Sequence, residues 1–127
     1  MLVNNYMTQV PVTIEQDADY GSAFDIMESK NLHHLPVVNA AGEVAGILTR
    51  RDLQLAARHF QEAPVEVSDV MHTPVFTTTP DTELAKAATM MMENRIGCLP
   101  VLGSDNHVVG MVTETDLFRA LLDVLDK

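Results

Sequence analysis

Shifted by 64 positions, the 127-residue sequence aligns with itself without a gap. Met7 falls on Met71, Thr13 on Thr77, Asp17 on Asp81, Ala23 on Ala87 and Met27 on Met91. Leu35-Pro36-Val37 falls on Leu99-Pro100-Val101, Val44 on Val108, Gly46 on Gly110, Thr49 on Thr113 and Asp52-Leu53 on Asp116-Leu117. One offset held across a whole half marks a tandem duplication, so the chain must fold as two copies of one supersecondary unit. A half of about 60 residues buries too little apolar surface to be comfortable alone, which makes the pair the folding unit. The boundaries expected are residues 1–58 for the first repeat, 59–66 for a connector containing Pro64, and 67–127 for the second repeat.

Each half carries the same local signals. Residues 10–13 and 75–78 are short β-rich pieces. Asp17 and Asp81 stand where helix N-caps are expected. Tyr20, Ala23, Phe24 and Met27 then recur at helical spacing, as do Leu84, Ala87, Ala88, Met91 and Met92. Leu35-Pro36-Val37-Val38 and Leu99-Pro100-Val101-Leu102 read as strands that start at a proline, where no ladder donor is missed. Turns follow at residues 39–42 and 103–106, then strands at 44–48 and 108–112, then helices from about Arg50 and Glu114. The fold class expected is α/β (α+β), with the order β-α-β-β-α in each repeat.

Composition narrows the function. Eight Lys and Arg against 18 Asp and Glu leave a net charge of −10, a poor match to nucleic acid, whose binders draw affinity from cations on phosphates. No apolar run is long enough to span a bilayer, and the first residues lack the basic and apolar segments of a signal peptide. A single cysteine, Cys98, forms no internal disulfide, so a reducing, cytoplasmic setting is expected.

The most informative segments are Gly46-Ile47-Leu48-Thr49-Arg50-Arg51-Asp52 and Gly110-Met111-Val112-Thr113-Glu114-Thr115-Asp116. Thr followed three residues later by an acid, where a strand passes into a helix, is a capping box. The same geometry also suits a ligand. A helix N-terminus offers N–H groups and a positive dipole end to phosphate, and the carboxylate suits the hydroxyls of a ribose. Both readings fit the residues, and duplication does not choose between them.

Two copies of a leading Val-x-x-x-Met, a Leu-Pro-Val strand and Gly-h-h-Thr-x-x-Asp (h, apolar) resemble a tandem pair of CBS (cystathionine-β-synthase) domains, the Bateman module. The resemblance covers residues 2–125 and is nearest to stand-alone CBS pairs and the CBS portion of acetoin-utilisation-type proteins. It implies a regulatory module whose clefts, shared by the two repeats, take adenosine-containing ligands (AMP, ADP, ATP or S-adenosylmethionine), and which commonly dimerises. Carried over, Thr113 and Asp116 join Val12 and Leu32-His33-His34-Leu35-Pro36 in one cleft. Thr49 and Asp52 join Phe76 and Ile96-Gly97-Cys98-Leu99-Pro100 in the other. His33, His34 and Arg51 would face phosphates at the Asp116 cleft, while Arg50 or Arg95 would have to serve at the Asp52 cleft. The first cleft is therefore expected to take the more highly phosphorylated ligand, and the second a less charged adenosine compound or none.

Other residues have plainer readings. His33 and His34 are adjacent on a strand, point to opposite faces and make a poor chelating pair; contact with phosphate, a pH-sensitive surface and simple exposure all remain open. Cys98 reads as a small buried hydrophobe. Met90-Met91-Met92 cannot all face one core. Leu117, Phe118, Leu121, Leu122 and Leu125 read as a packing face, with Asp123 and Asp126 on its solvated side. No nucleophile, metal-ligand set or paired carboxylates emerge, so no enzyme, metal or cofactor is expected. The expected partners are an adenosine-containing small molecule, a second copy in a homodimer and a regulated protein; an interaction scaffold with empty clefts is the alternative.

Overall fold

The computed structural model describes residues 1–9, 12–59 and 65–126. The order of elements is α1 (Val3–Tyr6), β1 (Thr8–Gln9), β2 (Ile14–Glu15), α2 (Tyr20–Ser29), β3 (His34–Val38), β4 (Val44–Thr49), α3 (Arg50–His59), α4 (Val67–Val70), α5 (Leu84–Asn94), β5 (Cys98–Leu102), β6 (Val108–Thr113) and α6 (Glu114–Leu125). The mixed helix and strand composition and the repeated helix, hairpin and helix are those expected. The chain divides into two compact units, one of residues Val12–Val75 and one that combines Met1–Pro11 with Phe76–Lys127. Each unit thus owns one hairpin but takes α4 or α1 from a segment leading into a repeat. Residues 60–64, which include most of the expected connector and Pro64, lie outside the described residues.

In the Val12–Val75 unit the sheet order is β2-β3-β4, with β2 parallel and β4 antiparallel to β3. His72 closes the free edge of β4, exchanging backbone hydrogen bonds with Ile47 at 2.7 and 3.2 Å. The other unit follows the same plan with β1-β6-β5. Here β1 closes the edge of β6, and Thr78 bridges Val101 in the place that Ile14 takes against Val37. Six buried positions of each core match the other's at an offset of 64. Ala23, Met27, Leu35, Val37, Leu48 and Val67 form one; Ala87, Met91, Leu99, Val101, Val112 and Val3 form the other.

The paired glycines explain how the edge segments fit. A methyl group on Gly110 would lie 2.7 Å from Met7 Sδ and 2.8 Å from the Thr8 carbonyl. One on Gly46 would overlap Met71 Sδ and approach the His72 carbonyl to 3.1 Å. Only a residue without a side chain lets Met7 and Met71 lie across the strand at these points.

Several expectations need adjusting. The helix caps are Asp19, whose Oδ1 accepts from Ser22 N at 2.8 Å, and Glu83, which makes no side-chain cap bond. Asp17 and Asp81 sit two residues earlier in turns, which favour the same residue type. The strands β3 and β5 start two residues before their prolines. Pro100 costs the β5–β6 ladder nothing, because its carbonyl accepts from Thr78 N on the side away from β6, and its ring nitrogen faces that side too. Val12, Thr13 and residues 75–77 are not strands, and Val10 and Pro11 lie outside the described residues. Residues 75–77 have β-propensity but no partner strand, and Thr78 is the first to find one. The α6 set also differs: Leu117 packs on the core, whereas Phe118, Leu121, Leu122 and Leu125 stand 50–66% exposed. Met91 is buried, Met90 packs beside it and Met92 is exposed, as helical geometry requires.

Two substitutions test this packing by urea denaturation. Gly110→Ala should lose about 1–3 kcal/mol, since the Thr8 backbone cannot give way as a side chain would; no loss would mean that β1 does not lie against β6. Thr78 Oγ1 is buried without a hydrogen-bond partner among the described residues, so Thr78→Val should gain about 1 kcal/mol.

Candidate functional site

The two strand-to-helix corners are built alike. Thr49 N donates to Asp52 Oδ2 at 2.9 Å and Asp52 N donates to Thr49 Oγ1 at 3.1 Å. Thr113 N donates to Asp116 Oδ2 at 2.8 Å, in the same reciprocal box. The capping box is therefore made at both corners. The next amide is also used: Arg50 N donates to the His33 carbonyl at 3.0 Å, and Glu114 N to the Gly97 carbonyl at 3.2 Å. Of the four amides that a helix start leaves over, the corner itself thus uses all but those of Arg51 and Thr115. That favours recognition by hydroxyl and carboxylate over a cradle of amides for phosphate.

Because Oδ2 serves the cap, Oδ1 is the oxygen turned to outside partners, and here the corners differ. Asp52 Oδ1 meets His72 Nε2 at 2.8 Å. Asp116 Oδ1 is held by the Arg119 guanidinium one turn along the same helix, and the Asp116 side chain is 3% exposed. Arg119 also donates to the Tyr6 carbonyl at 3.2 Å, while the Tyr6 hydroxyl donates to Asp123 at 2.5 Å, so α1 is tied to α6. That bond to a carboxylate raises the Tyr6 pKa above the ordinary phenol value.

The remaining expected site residues fall as follows. In the Val12–Val75 unit, Leu32, His34 and Val12 are half-buried, and His33 and Arg51 are exposed. Arg50 has a structural task, its Nη2 donating to the Met27 and Leu32 carbonyls at 3.0 and 2.9 Å, where it satisfies the C-terminal end of α2. In the other unit, Phe76 is 38% exposed and Cys98 is buried at the start of β5. Burial, reinforced by the Glu114 charge, pushes the Cys98 thiol up to about 12. Sequence reasoning missed His72 and Arg119. Arg119 lies three residues after Asp116, a spacing at which opposite charges meet on a helix, so it was within reach. His72 reaches Asp52 only through its pairing with Ile47, for which no local signal exists.

Among the described residues, no cluster of three His, Cys, Asp or Glu side chains is placed to hold a metal, and no helix is long and apolar enough to cross a membrane.

Twin units that each end a hairpin in a Thr–Asp capped helix define a tandemly duplicated α+β fold. The CBS-domain profile matches residues 3–59 and 67–123, and the chain belongs to the CBS-domain family, with two copies in tandem. A solved structure described as an acetoin utilization protein from Vibrio cholerae is similar at a TM-score of 0.88, with 30% identity over 99% of this chain and 95% of that one. The CBS-domain pair of protein MJ0100, solved with 5′-methylthioadenosine and S-adenosyl-L-methionine, is similar at a TM-score of 0.86, with 27% identity over 95% of each chain. Among curated sequences, homoserine O-acetyltransferase from Methanocorpusculum labreanum is 33% identical over 118 residues, covering 92% of this chain but 23% of that protein. The chain thus spans about a quarter of the length of that relative. CBS-domain pairs are generally regulatory rather than catalytic.

The buried thiol supplies a check. At about pH 8, where an exposed thiol is partly ionised, Cys98 should resist Ellman's reagent in the folded protein and react at once in denaturant. Rapid labelling without denaturant would contradict its burial.

Proposed function

We propose that the chain is a regulatory module that binds an adenosine-containing ligand at its Thr–x–x–Asp corners and passes occupancy to a partner protein. The observation that carries this reading is the repeated corner itself, which holds a carboxylate by one oxygen and leaves the other out of the cap, beside a threonine hydroxyl. The 27%-identical CBS pair solved with methylthioadenosine and S-adenosylmethionine supports adenosine as the recognised moiety. Asp52 and Asp116 would accept from ribose hydroxyls, with Thr49 and Thr113 alongside. Val12, Leu32, Phe76 and Cys98 would serve the base. His33, His34 and Arg51 would meet phosphate, leaving Arg50 to its backbone carbonyls. A ligand shifts a partner only through different affinities for two arrangements of the module. The protein would act in the cytoplasm as a homodimer, for which the exposed apolar residues of α6 offer a surface.

One observation favours the scaffold reading instead: both carboxylates already have partners within their own units. A ligand must displace or share them, whereas a scaffold need not.

Thermal unfolding with AMP, ATP, S-adenosylmethionine and 5′-methylthioadenosine decides. A ligand at 100 times its Kd, bound only to the folded chain, adds about 2.7 kcal/mol. The module reading expects such a gain with at least one compound, reduced in Asp52→Ala or Asp116→Ala. No gain with any compound supports the scaffold.

A further inference from the structure

We infer that His72 is an affinity-determining residue of the Asp52 corner, an internal occupant of the carboxylate oxygen that a ligand hydroxyl needs, and that its protonation closes the corner. This inference rests on the ligand reading proposed above. The two corners share their cap and differ in what holds Oδ1. At the Asp116 corner the holder is a guanidinium, charged at every relevant pH, set on a carboxylate that is almost wholly buried. At the Asp52 corner it is an imidazole whose side chain is 64% exposed, so it can swing into water without leaving a cavity. The holders come from unmatched places: position 72 corresponds to Thr8 in the other repeat, and position 119 to Leu55. The difference therefore arose after duplication, in side chains alone.

The contact is well placed to act as a latch. The His72 backbone is fixed by its exchange with Ile47, so a hydroxyl arriving at Asp52 Oδ1 displaces the ring and not the strand. His72 also lies three residues before Val75, where the chain leaves this unit. Among the described side chains, charged groups on the elements packed around it are Asp52, Arg50 and Arg51 on α3 and Asp69 on α4, while β4 carries none. Asp52 is the one its ring touches, and Arg50 is turned to the Met27 and Leu32 carbonyls. Protonated His72 binds the carboxylate more strongly than neutral His72, so a ligand displaces the neutral ring more easily. Affinity then rises with pH across the range in which imidazoles change charge.

Adenosine is the probe, since it offers the ribose diol without a phosphate that His33 or His34 would attract. Calorimetric titration of the full chain at about pH 5.5 and 8 should find it binding about two- to fivefold more weakly at the lower pH, the range expected of an exposed ion pair. His72→Ala should bind more tightly and lose this pH dependence. His72→Gln, which keeps a donor but no charge, should bind like the wild type does at about pH 8 and be flat with pH. The His72 ring nitrogen resonances should move on adding adenosine to the wild type but not to Asp52→Ala. If Asp52→Ala abolishes binding while His72→Ala changes neither affinity nor pH profile, the ligand reading stands and the latch is wrong. If adenosine binds neither the wild type nor His72→Ala at either pH, the ligand reading falls at this corner and takes the latch with it.

Discussion

The reciprocal hydrogen bonds between Thr49 and Asp52, and between Thr113 and Asp116, are the constraint on which the rest turns. Each ends a β-strand and starts a helix within one residue, and each does so by committing one carboxylate oxygen to backbone. The box fixes where α3 and α6 begin and leaves Oδ1 out of the cap. A cap and a recognition site are thus one device here, since the hydrogen bond that secures the helix also orients the acid. Substitution of either aspartate removes both roles at once, so loss of ligand and loss of stability must be measured separately.

Duplication supplied the architecture, and divergence supplied the chemistry. The buried residues repeat closely at an offset of 64, down to the glycines that admit Met7 and Met71. What differs lies in the side chains around the corners. One carboxylate is paired with arginine in a nearly dry setting, where breaking one partner is costly; the other pairs with an exposed histidine, where exchange is cheap. Arg50 and Glu114 show the same drift at matched positions, the first drawn to backbone carbonyls of its own unit and the second left exposed.

Much of this was legible in the residues. Leu35-Pro36-Val37 and its copy announced the hairpins, and the Thr-x-x-Asp spacing announced the corners, because both patterns depend on neighbours close in sequence. Register and exchange were not legible. Nothing in Met7-Thr8-Gln9 says that it will edge the β6 of the other repeat, nor in Met71-His72 that it will edge β4. Turn and cap chemistry overlap, which is why Asp17 and Asp81 mimicked caps that belong to Asp19 and Glu83. The helical stripe of α6 is apolar, but periodicity identifies a face and not what covers it, and Phe118, Leu121, Leu122 and Leu125 stand exposed.

The central claim is that the carboxylate oxygens of Asp52 and Asp116 that the caps leave over receive a ribose. A crystal structure grown with saturating 5′-methylthioadenosine tests it most directly. The account predicts the two ribose hydroxyls within hydrogen-bonding distance of at least one of these carboxylates, with the His72 ring turned away where the ligand sits at Asp52. A structure at the same saturation in which His72 and Arg119 still hold both carboxylates, and no nucleoside touches either corner, would contradict it.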